Sequence, residues 1–307
     1  MIGILTVLSL GFIEKLTLYF FNKNKELESI KVIANYLFMS IIFLSISSVL
    51  YQEFDFSFFK DIKFWIALTL ENMSFYLLIL NLRKKNTFSS IAFSSFSTIY
   101  LIIIISYIYK NYFGIEVPVS SPYNSLIEVI GFSFFFFVLN LLYFYDKLNK
   151  KDVKSPIILI IFAIFLANTL FFAILMFQTY QSFLVYSFIF MSFVIHFSTK
   201  LFLSHKYKDI KKLILLRTYN KIEKKEIIKN STLYIVLYFF TFLLSVISGK
   251  LLAVEFFAIF KRTGSITSAY VIDGIILKGD QRKIIKKKDI LILVTILLTG
   301  IYLFFRT

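Results

Sequence analysis

Apolar segments of about 20 residues, long enough to cross the hydrocarbon core of a bilayer, recur along nearly the whole chain. We predict ten such segments, at 1–21, 30–50, 63–82, 87–109, 123–145, 156–177, 179–200, 232–258, 264–278 and 289–306. In lipid, a helix satisfies all of its backbone hydrogen bonds internally. The chain is therefore expected to be an all-α, polytopic membrane protein that lacks room for a soluble domain.

The composition excludes most other classes of protein. Of the 307 residues, 58% are hydrophobic and 17% are charged, whereas soluble domains are about 25% charged. The absence of cysteine excludes disulfides, thiolate catalysis and cysteine-ligated metals. Motifs of zinc proteases, nucleotide-binding loops and serine hydrolases are also absent. We predict that the protein is not an enzyme and binds no cofactor or metal.

The net charge of +16 is distributed unevenly over the predicted connections. In a soluble protein such a charge would favour nucleic-acid binding, but cytoplasmic loops of membrane proteins also collect Lys and Arg. The odd-numbered connections contain 26 basic residues and the even-numbered ones contain 5. We therefore predict a multi-pass protein of the plasma membrane with cytoplasmic odd-numbered loops, both termini outside and no nucleic-acid partner.

The longest connection, at 201–231, is strongly basic and contains scattered apolar residues. This pattern is typical of an interfacial helix that lies on the anionic headgroups of a bilayer. A solvated run of charges is the alternative interpretation.

Two short stretches indicate an internal repeat. LRKKNTFSSIAF at 82–93 and IFKRTGSITSAY at 259–270 both combine a basic pair, small polar residues, and an alanine followed by an aromatic residue. Five spans in each half would give the halves opposite orientations. We therefore predict two five-helix repeats, at 1–150 and 151–307.

With these features, the segments 71–144 and 248–305 resemble the drug/metabolite transporter superfamily in its ten-helix, EamA-like form. The resemblance implies two inverted repeats and export of a small metabolite. Four-helix relatives in that superfamily use a glutamate of the first helix to bind protons and substrate. Glu14 lies in the first predicted span here.

Several charged residues fall inside the predicted spans, where an ionised side chain is costly unless it is paired or hydrated. Glu71, beside Asn72, and Asp273 lie near the middle of their spans. Together with Glu14 they are candidates for binding a proton or a cationic group, and Lys250 is the candidate for an anionic group. Other roles stay open: Glu14, Lys15 and Glu255 could pair locally or reach an interface, and Lys250 could pair with Glu255.

Hydroxyl residues on the fourth predicted span share one helix face. They are Ser90, Ser94, Ser97 and Thr98. They favour close helix packing, and they could also line a polar cavity.

These features together predict a secondary transporter for a small zwitterionic or amphiphilic metabolite, such as an amino acid, that works by alternating access and could be coupled to protons. Its partners would be the small-molecule substrate and anionic lipid headgroups. The alternatives are a flippase for a lipid-linked sugar and a membrane subunit or scaffold that transports nothing. A membrane-bound enzyme is the third alternative, and it would need polar groups clustered near one interface.

Overall fold

The computed structural model describes most of the chain, and its described part is 93% helical and contains no strand. The residues described are 2–22, 41–42, 45, 56–83, 88–115, 118–119, 121–123, 125–148, 156–180, 221–271 and 287–306. The all-α prediction is therefore confirmed for this part of the chain. Most of the second and all but the first two residues of the seventh predicted span lie outside the described residues.

Eight α-helices and a short 3₁₀ helix at Phe56–Lys60 lie within the described ranges. The helices are α1 Ile2–Asn22, α2 Ile62–Arg83, α3 Phe88–Phe113, α4 Leu126–Leu148, α5 Pro156–Thr179, α6 Lys221–Leu251, α7 Val254–Val271 and α8 Lys287–Arg306.

Three of these helices are long and apolar enough to cross a bilayer. The stretches are Leu126–Tyr143 in α4, Ile157–Thr179 in α5 and Ile228–Leu251 in α6, and a shorter apolar stretch covers Ile290–Arg306 in α8. Many large apolar side chains on α4 face outward, among them Ile127 and Phe134, as expected for a lipid-facing surface. The chain is a helical membrane protein.

Contacts between helix termini show which helices begin or finish at the same end of the bundle. The start of α1 packs on the turn between α6 and α7 through Gly3 and Leu252. At the same end, Glu128 at the start of α4 forms an ion pair with Arg306 at the end of α8. Tyr180, after α5, donates a hydrogen bond to Asp61, before α2. We call this end A and the opposite end B.

Helix α1 lies between α6 and α7, which a short turn connects. It runs antiparallel to α6, because Gly3 is near Leu251 while Thr17 contacts Thr241. It runs parallel to α7, and the two backbones touch where they cross. There a Cβ atom on Gly11 would overlap the carbonyl oxygen of Lys261. Glycine permits this approach because it has no Cβ.

Gly264 makes the reciprocal contact from α7, since a Cβ there would overlap the carbonyl oxygen of Leu8. The crossing therefore depends on one glycine from each helix, and it fixes the register of α1 along α7.

The structure corrects the predicted boundary between the eighth and ninth spans. The sequence placed a connection at 259–263 because Lys261 and Arg262 interrupt the apolar pattern. Instead, the helices break at Leu252 and Ala253, and α7 runs continuously through the basic pair. The pair can occupy a helix interior because it is buried beside an acidic residue of α1.

Part of the predicted interfacial segment lies within the described residues. Residues 221–230 are the first turns of α6, and they continue directly into its apolar part. The whole helix has 31 residues, which correspond to about 46 Å. A bilayer core is only about 30 Å thick, so α6 is longer than one crossing needs, and its basic first turns are at end B. Residues 201–220 lie outside the described ranges.

Candidate functional site

The crossing of α1 and α7 brings together charged side chains from both helices. Glu14 Oε1 lies 3.5 Å from Lys261 Nζ, and Glu14 Oε2 lies 3.9 Å from Arg262 Nη1. Ser265 Oγ donates a hydrogen bond of 3.4 Å to the same carboxylate. We call Glu14, Lys15, Lys261, Arg262 and Ser265 the charge cluster. Its ion pairs are long, so its members are only loosely joined.

Arg262 is one of two almost fully enclosed cations of the charge cluster, with Lys15. It is only 2% exposed, and its Nε donates a hydrogen bond of 3.0 Å to Thr98 Oγ1 on α3. Its Nη2 atom is buried without a hydrogen-bond partner among the described residues. A buried guanidinium normally uses its whole fork of donors. Arg262 therefore has a donor left for a bound group.

The hydroxyl face predicted on the fourth span contributes to this region. Ser97 and Thr98 are buried, and Ser97 Oγ accepts a hydrogen bond of 2.9 Å from Asn140 on α4. Ser97 thus joins two helices, while Thr98 holds Arg262. The side chains of Ser90 and Ser94 lie outside the described set.

Lys15 and Glu71 also interact with the charged side chains at this crossing. Lys15 is 2% exposed and interacts electrostatically with Glu14, Lys261 and Arg262. Glu71 on α2 interacts electrostatically with Lys261 and Glu14. Two of the predicted carboxylates, Glu14 and Glu71, are therefore brought to one region.

Asn72 is placed differently from its neighbour Glu71. Its side-chain nitrogen donates a hydrogen bond of 2.7 Å to the carbonyl oxygen of Leu68, one turn earlier on the same helix. Its place in the proposed site stays a prediction.

The charge cluster lies near the middle of the bundle. Glu14 is eleven residues beyond Gly3, which corresponds to about 16 Å from end A at the rise of an α-helix. Arg262 is eight residues beyond Val254, or about 12 Å. Half of the hydrocarbon core is about 15 Å. Buried charges at this depth are expensive and are characteristic of substrate or ion pathways.

Lys250 lies apart from the charge cluster, near end A. Its Nζ donates hydrogen bonds to the carbonyl oxygens of Gln178 at 3.3 Å and Tyr180 at 3.5 Å. Lys250 therefore satisfies acceptors at the end of α5, where a cation is favourable. The suggested ion pair between Lys250 and Glu255 is absent from this part of the structure. The cations close to the predicted carboxylates are Lys261 and Arg262.

Asp273, the other predicted carboxylate, lies outside the described residues. Sequence reasoning missed Lys261, Arg262 and Ser265. It named Thr98 but not the hydrogen bond that Thr98 accepts from Arg262. The basic pair was interpreted as a loop because charge lowers hydropathy. Gly264, two residues after the pair and followed directly by Ser265, was the available signal of close helix packing.

A separate apolar groove lies on the outside of the bundle between α3 and α4. Its volume is about 510 Å³, and tyrosines on α3 contribute to its walls. The lining residues include Tyr100, Tyr107, Tyr112, Ile130, Phe134 and Phe137. The groove is suited to an apolar chain rather than to a charged molecule.

Comparisons with known proteins return no relative: no protein-family profile, curated protein or solved structure matches this chain. Within the described ranges, no three His, Asp or Glu side chains gather in a way that could hold a metal ion. Any functional assignment therefore depends on the residues themselves.

Proposed function

We propose that the protein is a secondary transporter of the plasma membrane that binds a small metabolite at the charge cluster. In this proposal ten spans form two inverted five-helix repeats, in the manner of the EamA-like transporters that the sequence resembles. The helices would rock about the cluster to expose it alternately to each side.

The proposal rests mainly on the incomplete hydrogen bonding of buried Arg262. A guanidinium at mid-depth with an unpartnered donor and a loose ion pair is costly in a helix bundle that serves only as a scaffold. A bound anionic group would complete its hydrogen bonds, and Arg is the side chain that best matches a carboxylate.

The charges around Arg262 favour a zwitterionic substrate. Glu71 interacts with the charge cluster from α2, and a carboxylate there is able to receive an ammonium group. The substrate's carboxylate would then face Arg262 and its ammonium group would face Glu71. An amino acid has both groups. This arrangement keeps the acidic candidates predicted from the sequence and replaces Lys250 by Arg262 as the anion-binding cation.

A ligand screen on the detergent-purified protein tests the proposal. The compounds are amino acids, amines, sugars, nucleotides and lipid-sugar headgroups, and the readout is the thermal unfolding temperature. A ligand at 100 times its Kd adds about 2.7 kcal/mol of stability. We expect an amino-acid shift that Arg262→Lys and Glu71→Gln each reduce, and that Asp273→Asn reduces if that residue belongs to the site.

The matched control is Glu226→Gln, an exposed carboxylate on α6 at end B, and it should keep the full shift. Shifts that are equal in wild type and Arg262→Lys would remove Arg262 from the site. A screen in which no compound stabilises the wild type would favour the scaffold function.

The second candidate is a flippase for a lipid-linked sugar. The groove between α3 and α4 is the specific feature that favours it, because it could receive an acyl or prenyl chain from the side. In that case a lipid-linked sugar would stabilise the protein, and free amino acids would not.

A further inference from the structure

A second group of buried polar side chains lies at end A, where α7 begins. Glu255 is in the first turn of α7 and is 2% exposed. The hydroxyl groups of Ser106, on α3, and Ser121 lie beside its carboxylate. Tyr123 interacts with it electrostatically. Glu255 is seven residues, or about 10 Å along the helix, from Arg262, so this group is distinct from the charge cluster.

Three oxygen atoms of this group lack a well-aligned hydrogen bond. Among the described residues, Glu255 Oε1, Ser106 Oγ and Tyr123 Oη are buried and make none, although the hydroxyl groups of Ser106 and Ser121 lie close to the Glu255 carboxylate. Lys110 acts electrostatically on Glu255, but within the described part of the chain no basic residue forms an ion pair with that carboxylate. Poorly satisfied buried oxygens are costly, and three in one group indicate a missing ligand.

The chemistry of these side chains restricts that ligand. They offer one carboxylate and three hydroxyl groups, so every donor atom is oxygen, which hard cations prefer. The hydroxyl of Tyr123 is a phenol, which is neutral at physiological pH. A single negative charge suits a monovalent cation, because divalent sites usually recruit further carboxylates.

Val119, which precedes Ser121 by two residues, is joined to a neighbouring helix. Gly114 ends α3 in the left-handed conformation, with φ of 63°, a conformation that favours glycine. The backbone N–H of Val119 then donates to Gln178 Oε1 at 3.2 Å. Gln178 in turn donates to the carbonyl oxygens of Gly249 and Leu252. One buried amide thus joins this segment to the turn between α6 and α7.

We propose that Glu255, Ser106, Ser121 and Tyr123 form a binding site for a monovalent cation, for which Na⁺ is the probe. Because Glu255 and Arg262 share α7, an ion bound here would bias the position of the helix that carries the charge cluster. Ion binding itself does not depend on the proposed transport function. Its role as a coupling ion does.

Thermal unfolding of the full-length protein in detergent tests the site. NaCl replaces choline chloride at constant ionic strength, with KCl and LiCl in parallel and without any substrate. We expect the unfolding temperature of the wild type to rise with Na⁺ and saturate. Glu255→Gln should abolish the rise, and Ser106→Ala and Tyr123→Phe should move it to higher Na⁺ concentration. Glu226→Gln is the matched control and should respond like the wild type.

An unfolding temperature that is independent of Na⁺ in the wild type would overturn the proposal, as would an equal rise in Glu255→Gln. Stabilisation that depends on pH, is lost in Glu255→Gln and ignores Na⁺ would assign the site a proton instead. If Glu255→Gln does not fold, the two hydroxyl variants decide the result. Because no substrate is added, this outcome is separate from that of the ligand screen.

Discussion

At the scale of single residues, Glu14 is the acidic partner of two buried cations. It contacts Lys261 and Arg262 from the far side of a helix crossing, and Lys15 acts on it from its own helix. The sequence predicted Glu14 and Glu71 as candidates because charges inside an apolar span are conspicuous. It could not reveal their partners, because the helix register depends on the close approach of Gly11 to Lys261 and of Gly264 to Leu8.

Removing the charge of Glu14 should destabilise the protein strongly. Breaking a buried ion pair from one side leaves uncompensated charge and costs about 3–5 kcal/mol. We therefore expect Glu14→Gln to lower the unfolding temperature clearly. Adding Lys261→Met should recover part of the loss, because the unpaired cation is then gone. Equal losses in the single and double variants would contradict this pairing.

At the scale of elements, the packing of α1 on α7 explains both what the sequence predicted and what it did not. The apolar stretch of α1 was predicted almost to its ends, because its hydropathy is interrupted only by Glu14 and Lys15. The start of α7 was misplaced because Lys261 and Arg262 reduce hydropathy in a helix that is stabilised by tertiary contacts. A hydropathy average along the sequence cannot distinguish a charge that pairs with another helix from a charge in a loop.

Substitution of the crossing glycines tests this packing. Gly11→Ala and Gly264→Ala each place a methyl group against the partner's backbone, which can be relieved only by separating the helices. We expect both variants to unfold at lower temperature. Gly131→Ala on α4 is the matched control, since nothing lies within 4 Å of its added Cβ and Ala is the better helix former. Equal effects at all three positions would argue against a close crossing.

At the scale of the whole molecule, the directions of the described helices agree with the charge count. Helices α1, α2, α4 and α7 begin at end A, and α3, α5, α6 and α8 finish there. Basic residues gather at the opposite ends, for example Arg83, Lys147 and Lys287. This pattern supports end B as the cytoplasmic side. The ten-span count and the repeat stay predictions, because 23–40 and 181–220 lie outside the described residues.

The absence of native cysteine makes the orientation directly testable. Ser125 at end A and Lys225 at end B are both exposed, so each can be replaced by cysteine. In intact cells, we expect a membrane-impermeant maleimide to label Ser125→Cys and to reach Lys225→Cys only after permeabilisation. The reverse labelling pattern would mean that end A faces the cytoplasm. Labelling of both positions in intact cells would contradict their placement at opposite ends of the bundle.

The central claim is that the charge cluster lines a hydrated site near the middle of the membrane, and cysteine accessibility tests it most directly. Ser265 contacts Glu14 and Ser74 on α2 is paired with Thr169. Both side chains are buried, so Ser265 becomes reactive only if the charge cluster opens to water. Each is replaced by cysteine and treated with a small, membrane-impermeant cationic thiol reagent in native vesicles. The account predicts that Ser265→Cys reacts readily and that Ser74→Cys reacts only after unfolding. Protection of both positions until unfolding would show a dry ion-pair core and contradict a transport site.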